Sequence, residues 1–111
     1  MTLLLTSADT VERPALGWWL AITGGMGGLA FLALDPGAYA WWTEHVTAAF
    51  SRGLLEWILV LAIVIHVGEA LVARRLAREN GLGSSAGGWF WQTLLLGFPS
   101  LTLLRRRIER R

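Results

Sequence analysis

The chain has 111 residues, of which 54% are hydrophobic and only 16% are charged. Soluble domains usually carry about 25% charged residues, and here the apolar residues stand in long runs, which argues against a soluble enzyme. The sequence contains no cysteine, which excludes a thiolate nucleophile, a disulfide framework and a cysteine-ligated metal. The net charge of +2 comes from arginines beside the apolar runs. That pattern is typical of membrane-flanking segments, so no nucleic-acid partner is expected.

Three apolar stretches predict membrane-spanning helices, at residues 16–34, 54–73 and 88–104. At a rise of 1.5 Å per residue, about 20 helical residues cross the roughly 30 Å hydrocarbon layer. The expected fold class is therefore all-α. We expect one integral membrane domain over residues 1–111, with about three transmembrane helices and one interfacial amphipathic helix.

The interfacial helix is predicted at about residues 36–52. Asp35 followed by Pro36 is typical of a helix start, with a capping side chain and then proline at the first position. Aromatic and apolar residues share one side of this helix, as in segments that lie in the headgroup plane. They are Tyr39, Trp42, Val46, Ala49 and Phe50. A short ordered loop is the alternative.

The first apolar stretch has one feature of a cleaved signal peptide, because Ala38, Tyr39 and Ala40 fit the small-x-small cleavage pattern. Its apolar run is longer than the usual signal-peptide core, and Asp9 and Glu12 precede it where positive charge is expected. We therefore predict a retained transmembrane helix.

The orientation depends on the third stretch. If it crosses the membrane, the positive-inside rule favours a cytoplasmic C-terminus, because Arg52 and the five C-terminal arginines outnumber the four on the other side. If it turns back at residues 97–99, both arginine clusters lie on one side. All ten basic residues are arginine, which indicates a GC-rich genome, so we expect a bacterial inner (plasma) membrane.

A polar cluster is predicted on the second and third stretches. His66 and Glu69 are three residues apart and share one side of a helix, and ionisable groups inside a span normally face a cavity or a partner. Gln92 and Thr93 enter the membrane from the same face. The four residues predict a polar ligand site or a set of hydrogen bonds that hold the hairpin together. His66 and Glu69 are the candidate catalytic residues, but they supply only two ligands, so neither a metal nor a cofactor is expected.

Glycines mark the predicted helix contacts. Gly24 and Gly28 are four residues apart in an apolar helix, a spacing that lets another helix approach closely. Gly97, in the third stretch, is the other predicted helix-packing glycine.

The second half of the chain resembles the transmembrane protein 254 family. The matching residues are His66, Val67, Glu69 and Ala70, then Trp89, Gln92, Thr93 and Gly97, and finally Ser100, Leu101 and Thr102 before a basic tail. The resemblance covers about residues 57–107. It implies a small helical integral membrane protein with about three spans, and it brings no established reaction.

The sequence leaves three functions open. The first is an accessory or scaffold subunit, or a lipid-handling partner, that associates with another membrane protein, with itself and with membrane lipids. The second is a membrane-embedded enzyme acting on a sterol-like or isoprenoid lipid, with His66 and Glu69 as an acid–base pair and Gln92 orienting the substrate. The third is an oligomeric transporter or channel subunit built around Glu69 or Glu56.

Overall fold

The computed structural model describes residues 10–110, and helices are the only regular secondary structure in that range. Two helices, Leu16–Leu34 and Arg52–Glu79, are long and apolar enough to cross a membrane. The elements in chain order are α1 (Leu16–Leu34), α2 (Pro36–His45), α3 (Arg52–Glu79), a 3₁₀ turn (Gly83–Ser85), α4 (Ala86–Leu96) and α5 (Phe98–Glu109).

The helix predicted at residues 36–52 is shorter in the structure. Asp35 accepts a hydrogen bond from Gly37 N at 2.9 Å and Pro36 starts α2 as expected, but α2 ends at His45. Residues 46–51 are irregular, because Thr47 Oγ1 accepts from Ala49 N at 3.1 Å, a local bond that competes with the helix. Ser51 then accepts from Leu54 N at 3.1 Å and caps α3.

Helices α1 and α3 pack together near the α1 C-terminus. Ala33, Leu55 and Leu59 are buried there, with partly buried apolar neighbours on α1 around them. Arg52 reaches across, donating from Nε to Ala33 O at 3.0 Å and from Nη2 to Leu34 O at 3.2 Å. This guanidinium satisfies carbonyls that the end of a helix leaves unpaired, so it fixes α1 against the start of α3.

The stretch at 88–104 does not form one straight helix. It is divided between α4 and α5 at Gly97, which has φ +71°, and Pro99 lies in the first turn of α5. In a straight helix Gln92 and Arg107 would be about 22 Å apart, yet both contact Glu12. The two helices therefore fold back on each other as a hairpin, in agreement with the alternative that turns at residues 97–99, and a third crossing is not confirmed. We call this pair of helices the re-entrant hairpin.

The main core joins the re-entrant hairpin to the C-terminal half of α3. Trp89, Leu96 and Leu104 are fully buried, and alanines on α3 let the hairpin approach closely. The core cluster consists of Ala73, Ala77, Leu82, Ala86, Trp89, Leu101 and Leu104. Helix α3 continues past the predicted apolar span of 54–73 and ends at Glu79, just before Gly81, whose φ is +77°.

The fold-back brings both described ends of the chain to one end of the molecule. Glu12, near the start, contacts Arg107 and Arg110, near the finish. The C-terminal end of α3 also lies there, since its alanines pack against α4 and α5. Among the nine arginines of residues 10–110, only Arg52 lies at the other end, and the eight that remain form what we call the arginine-rich end.

Candidate functional site

The tip of the re-entrant hairpin rests on His66. The ring Nδ1 lies 2.8 Å from the carbonyl oxygen of Leu94. Because a carbonyl oxygen only accepts, Nδ1 must carry the hydrogen. In the neutral ring Nε2 is then an acceptor with a lone pair available to a ligand.

Glu69 joins His66 at Gly97. A Cβ added to Gly97 would lie 3.0 Å from His66 Nε2 and 3.3 Å from Glu69 Oε1, so both polar atoms converge on the same point of the turn. Both side chains are half-buried. Gly97 therefore has two reasons to lack a side chain, its positive φ and this close approach.

Gln92 and Thr93 belong to a second cluster. The Gln92 amide donates to Glu12 O at 2.7 Å and to Ser100 Oγ at 3.0 Å. Thr93 Oγ1 and Ser100 Oγ are 2.9 Å apart and hydrogen-bonded. All three side chains are buried, and their bonds hold α4 against α5. Gln92 thus stands apart from Glu69, and its amide nitrogen is already engaged.

Ser100 is the residue that sequence reasoning missed. The sequence singles it out only as part of the family motif, although it accepts a hydrogen bond from Gln92 and shares one with Thr93. The available signal was two hydroxyl residues, Thr93 and Ser100, on either side of a Gly–x–Pro break. In a membrane such a break requires internal polar partners.

A cleft that contains His66 and Glu69, which we call the polar cleft, opens at the hairpin tip between α1 and α3. Its volume is about 380 Å³, and His66 and Glu69 are its polar groups. The apolar walls come from Ala21, Ile22, Gly25 and Met26 on α1, Ala62 and Ile65 on α3, and Leu96 and Phe98 at the tip. Few polar groups in an apolar cleft are typical of sites for small amphipathic ligands. Residues 10–110 contain no group of three His, Cys, Asp or Glu side chains that could hold a metal.

Helix α1 exposes its glycines. Neither Gly24 nor Gly28 has any atom within 4 Å of where a Cβ would lie, and only 6% of the apolar window of α1 is buried. On the helix the two glycines lie on the side opposite Met26 and Ala30, which pack towards α3. They make no contact with the described part of the chain, so their packing role stays a prediction.

Glu56 lies at the other end of α3. Its carboxylate is 3.6 Å from Arg52 Nε, one turn earlier, and the side chain is 50% exposed. The contact gives Glu56 a partner at the helix start, far from the polar cleft.

These features define a class: an all-helical membrane protein in which two long apolar helices carry a folded-back helical hairpin. Residues 17–106 match the family model described as transmembrane protein 254. The chain belongs to the transmembrane protein 254 family.

Curated relatives cover nearly the whole chain. Transmembrane protein 254 of Mus musculus is 29% identical over 111 residues, covering 89% of this chain and 88% of the relative. Transmembrane protein 254 of Homo sapiens is 30% identical over 109 residues, covering 87% and 86% respectively. No solved structure matches the chain. These relatives are mammalian, so the expected bacterial inner membrane gains no support from them.

Proposed function

We propose that this membrane protein is an accessory subunit that packs the glycine side of α1 against a transmembrane helix of another membrane protein. The observation that carries the proposal is the empty space over Gly24 and Gly28 on the side of α1 turned away from α3. In lipid, helices associate through close van der Waals packing, and glycines four residues apart allow the backbones to approach.

The chain offers a matched control for this surface. Gly68 on α3 also has nothing within 4 Å of its Cβ position. Replacing it by leucine makes the same chemical change in an apolar helix, away from the proposed contact. Gly24→Leu and Gly28→Leu are therefore compared with Gly68→Leu.

The test is purification of the tagged full-length chain from its own membranes in a mild detergent. Mass spectrometry identifies what accompanies it, and light scattering gives the mass of the complex. We expect a stoichiometric membrane-protein partner that Gly24→Leu and Gly28→Leu release and Gly68→Leu retains. A protein that runs alone, or a partner that all variants retain equally, contradicts the proposal.

The polar cleft favours a second function, the binding of a lipid with a hydroxyl headgroup, sterol-like or isoprenoid. His66 Nε2 and the Glu69 carboxyl group both accept hydrogen bonds, and they converge at the end of a cleft with apolar walls. An enzyme would use the same two groups as an acid–base pair. The test is a bound lipid that His66→Gln or Glu69→Gln releases. Retention of the lipid by both variants contradicts this function.

We also propose that the arginine-rich end faces the cytosol. Eight of the nine arginines of residues 10–110 lie at this end and only Arg52 lies at the other, a bias that favours the cytosolic side. The hairpin makes the bias stronger than the sequence alone suggested, because it brings the two arginine clusters together. Both ends of the described chain are then cytosolic.

A further inference from the structure

A second polar cavity lies at the arginine-rich end, where α3 passes the start of α4. Its volume is about 320 Å³, roughly ten times the ~30 Å³ that one water occupies in the liquid. Arg74 and Arg78 on α3 line one wall, and Phe90 and Trp91 on α4 line another. The cavity is separate from the polar cleft at His66 and Glu69.

The two arginines place two positive charges on one wall of the cavity. They are one helical turn apart, a spacing at which like charges repel. Neither forms an ion pair within residues 10–110, whereas the adjacent Arg75 bonds Glu79 at 2.9 Å. No acidic side chain lines this cavity among the described residues. An anion between the two guanidinium groups would remove the repulsion.

The position of the cavity points to a lipid as the source of that anion. The apolar run of α3 ends at Ala73, so Arg74 lies at the edge of the hydrocarbon layer. Trp91 is 63% exposed beside the cavity, and tryptophan favours the level of the lipid headgroups. Arginine binds phosphate oxygens through two parallel N–H donors. The cavity therefore lies at the depth of the phosphates, with side chains that suit them.

Small residues keep the cavity open. Gly83 and Gly87 line it, and neither has any atom within 4 Å of where a Cβ would lie. A larger side chain at Gly87 would occupy this space without changing the charge.

We propose that Arg74 and Arg78 bind the phosphate group of one anionic phospholipid in this cavity. The inference does not depend on a protein partner or on a ligand in the polar cleft. It assigns a specific lipid contact to two of the eight arginines at this end of the molecule.

The test is native mass spectrometry of the full-length protein after exchange with phosphatidylglycerol in phosphatidylcholine. The variants are Arg74→Gln, Arg78→Gln and Gly87→Leu. The control is Arg75→Gln, which removes the same charge from the same turn of α3, outside this cavity. Because all four positions are exposed, the variants are expected to fold, which circular dichroism checks.

We expect wild type and Arg75→Gln to retain one phosphatidylglycerol with similar affinity. Each of the other three variants should bind about tenfold more weakly, the effect of losing one charge-assisted contact or the space for the headgroup. An equal loss of affinity in Arg75→Gln would show that diffuse surface charge attracts the lipid, and it would overturn the proposal. Displacement of the lipid by inorganic phosphate at equal concentration would overturn it too, since the site would then bind a soluble anion.

Discussion

His66 and Leu94 join the transmembrane helix α3 to the tip of the re-entrant hairpin, with Nδ1 of the imidazole 2.8 Å from the carbonyl oxygen. Leu94 lies in the last turn of α4, where backbone carbonyls have no partner within their own helix. Inside a membrane no water replaces such a partner. One side chain of α3 therefore both orients its own Nε2 and satisfies the backbone of the hairpin.

Replacing His66 by leucine should destabilise the hairpin. The Leu94 carbonyl loses its donor, which costs about 1 kcal/mol in the free energy of unfolding. The measurement is thermal unfolding in detergent followed by circular dichroism. Val64→Leu, at an exposed position of the same helix, is the control. A His66→Leu protein as stable as that control would show that the bond does not hold the tip.

Alanine should have opposite effects at two glycines. Gly97 has φ +71° and ψ −133°, a conformation that costs a side-chain-bearing residue about 1–3 kcal/mol, and its Cβ would press on His66 Nε2 at 3.0 Å. Gly68, inside α3 with open space around it, should gain up to about 1 kcal/mol from alanine. The same unfolding assay compares the two. A Gly97→Ala protein at least as stable as wild type would contradict the turn geometry.

Ser100 and Thr93 should show energetic coupling. Ser100→Ala removes the hydroxyl that Gln92 and Thr93 both contact, and Thr93→Val removes one of its partners. Each change should cost about 1–3 kcal/mol, because a buried polar group is left without a partner. The double variant should cost less than the two single changes together by about 0.5 kcal/mol or more.

Thr102→Ala is the control for this cycle, since Thr102 is exposed on the same helix. Strict additivity of Thr93→Val and Ser100→Ala would mean that the two hydroxyls do not bond in the membrane. The cycle is read from unfolding free energies in one detergent.

The arginine-rich end should be accessible only from the cytosol. The chain has no cysteine, so a single cysteine can be placed at will. We expect Ser84→Cys, exposed in the 3₁₀ turn, to react with an impermeant maleimide only after the membrane is opened to the cytosolic side. Glu44→Cys, exposed in α2, should react in intact cells or vesicles of native orientation. The reverse pattern would invert the proposed orientation.

Hydropathy predicted the two long helices well. The bounds of α1 agree with the predicted 16–34, and α3 contains the predicted 54–73. The third stretch could not be decided in this way, because a short span and a hairpin have the same apolar composition. The two structures differ in whether the backbone groups freed at the turn and the side-chain amide find hydrogen-bond partners. One of those partners, Glu12 O for Gln92, lies 80 residues away in the chain.

The sequence predicted only part of the candidate site, again because contacts outside a single helix decided the rest. The spacing of His66 and Glu69 placed them together on one side of α3, as a helix requires. Gln92 was expected near Glu69 on the assumption of two straight antiparallel helices. The turn at Gly97 moves the contacts of Gln92 towards Ser100 and the N-terminal segment, and hydrophobic periodicity carries no signal for that turn.

The contact between Glu12 and Arg110 joins the two ends of the described chain. The two residues are 98 positions apart and bonded at 2.6 Å, while residues 46–51 form the connection at the opposite end. Cutting the chain within residues 46–51 would leave two pieces, α1 with α2 and α3 to α5. These pieces still share the α1–α3 packing and the Glu12 contacts. Co-expressed as separate chains, the two pieces should assemble into one protein with its cleft intact.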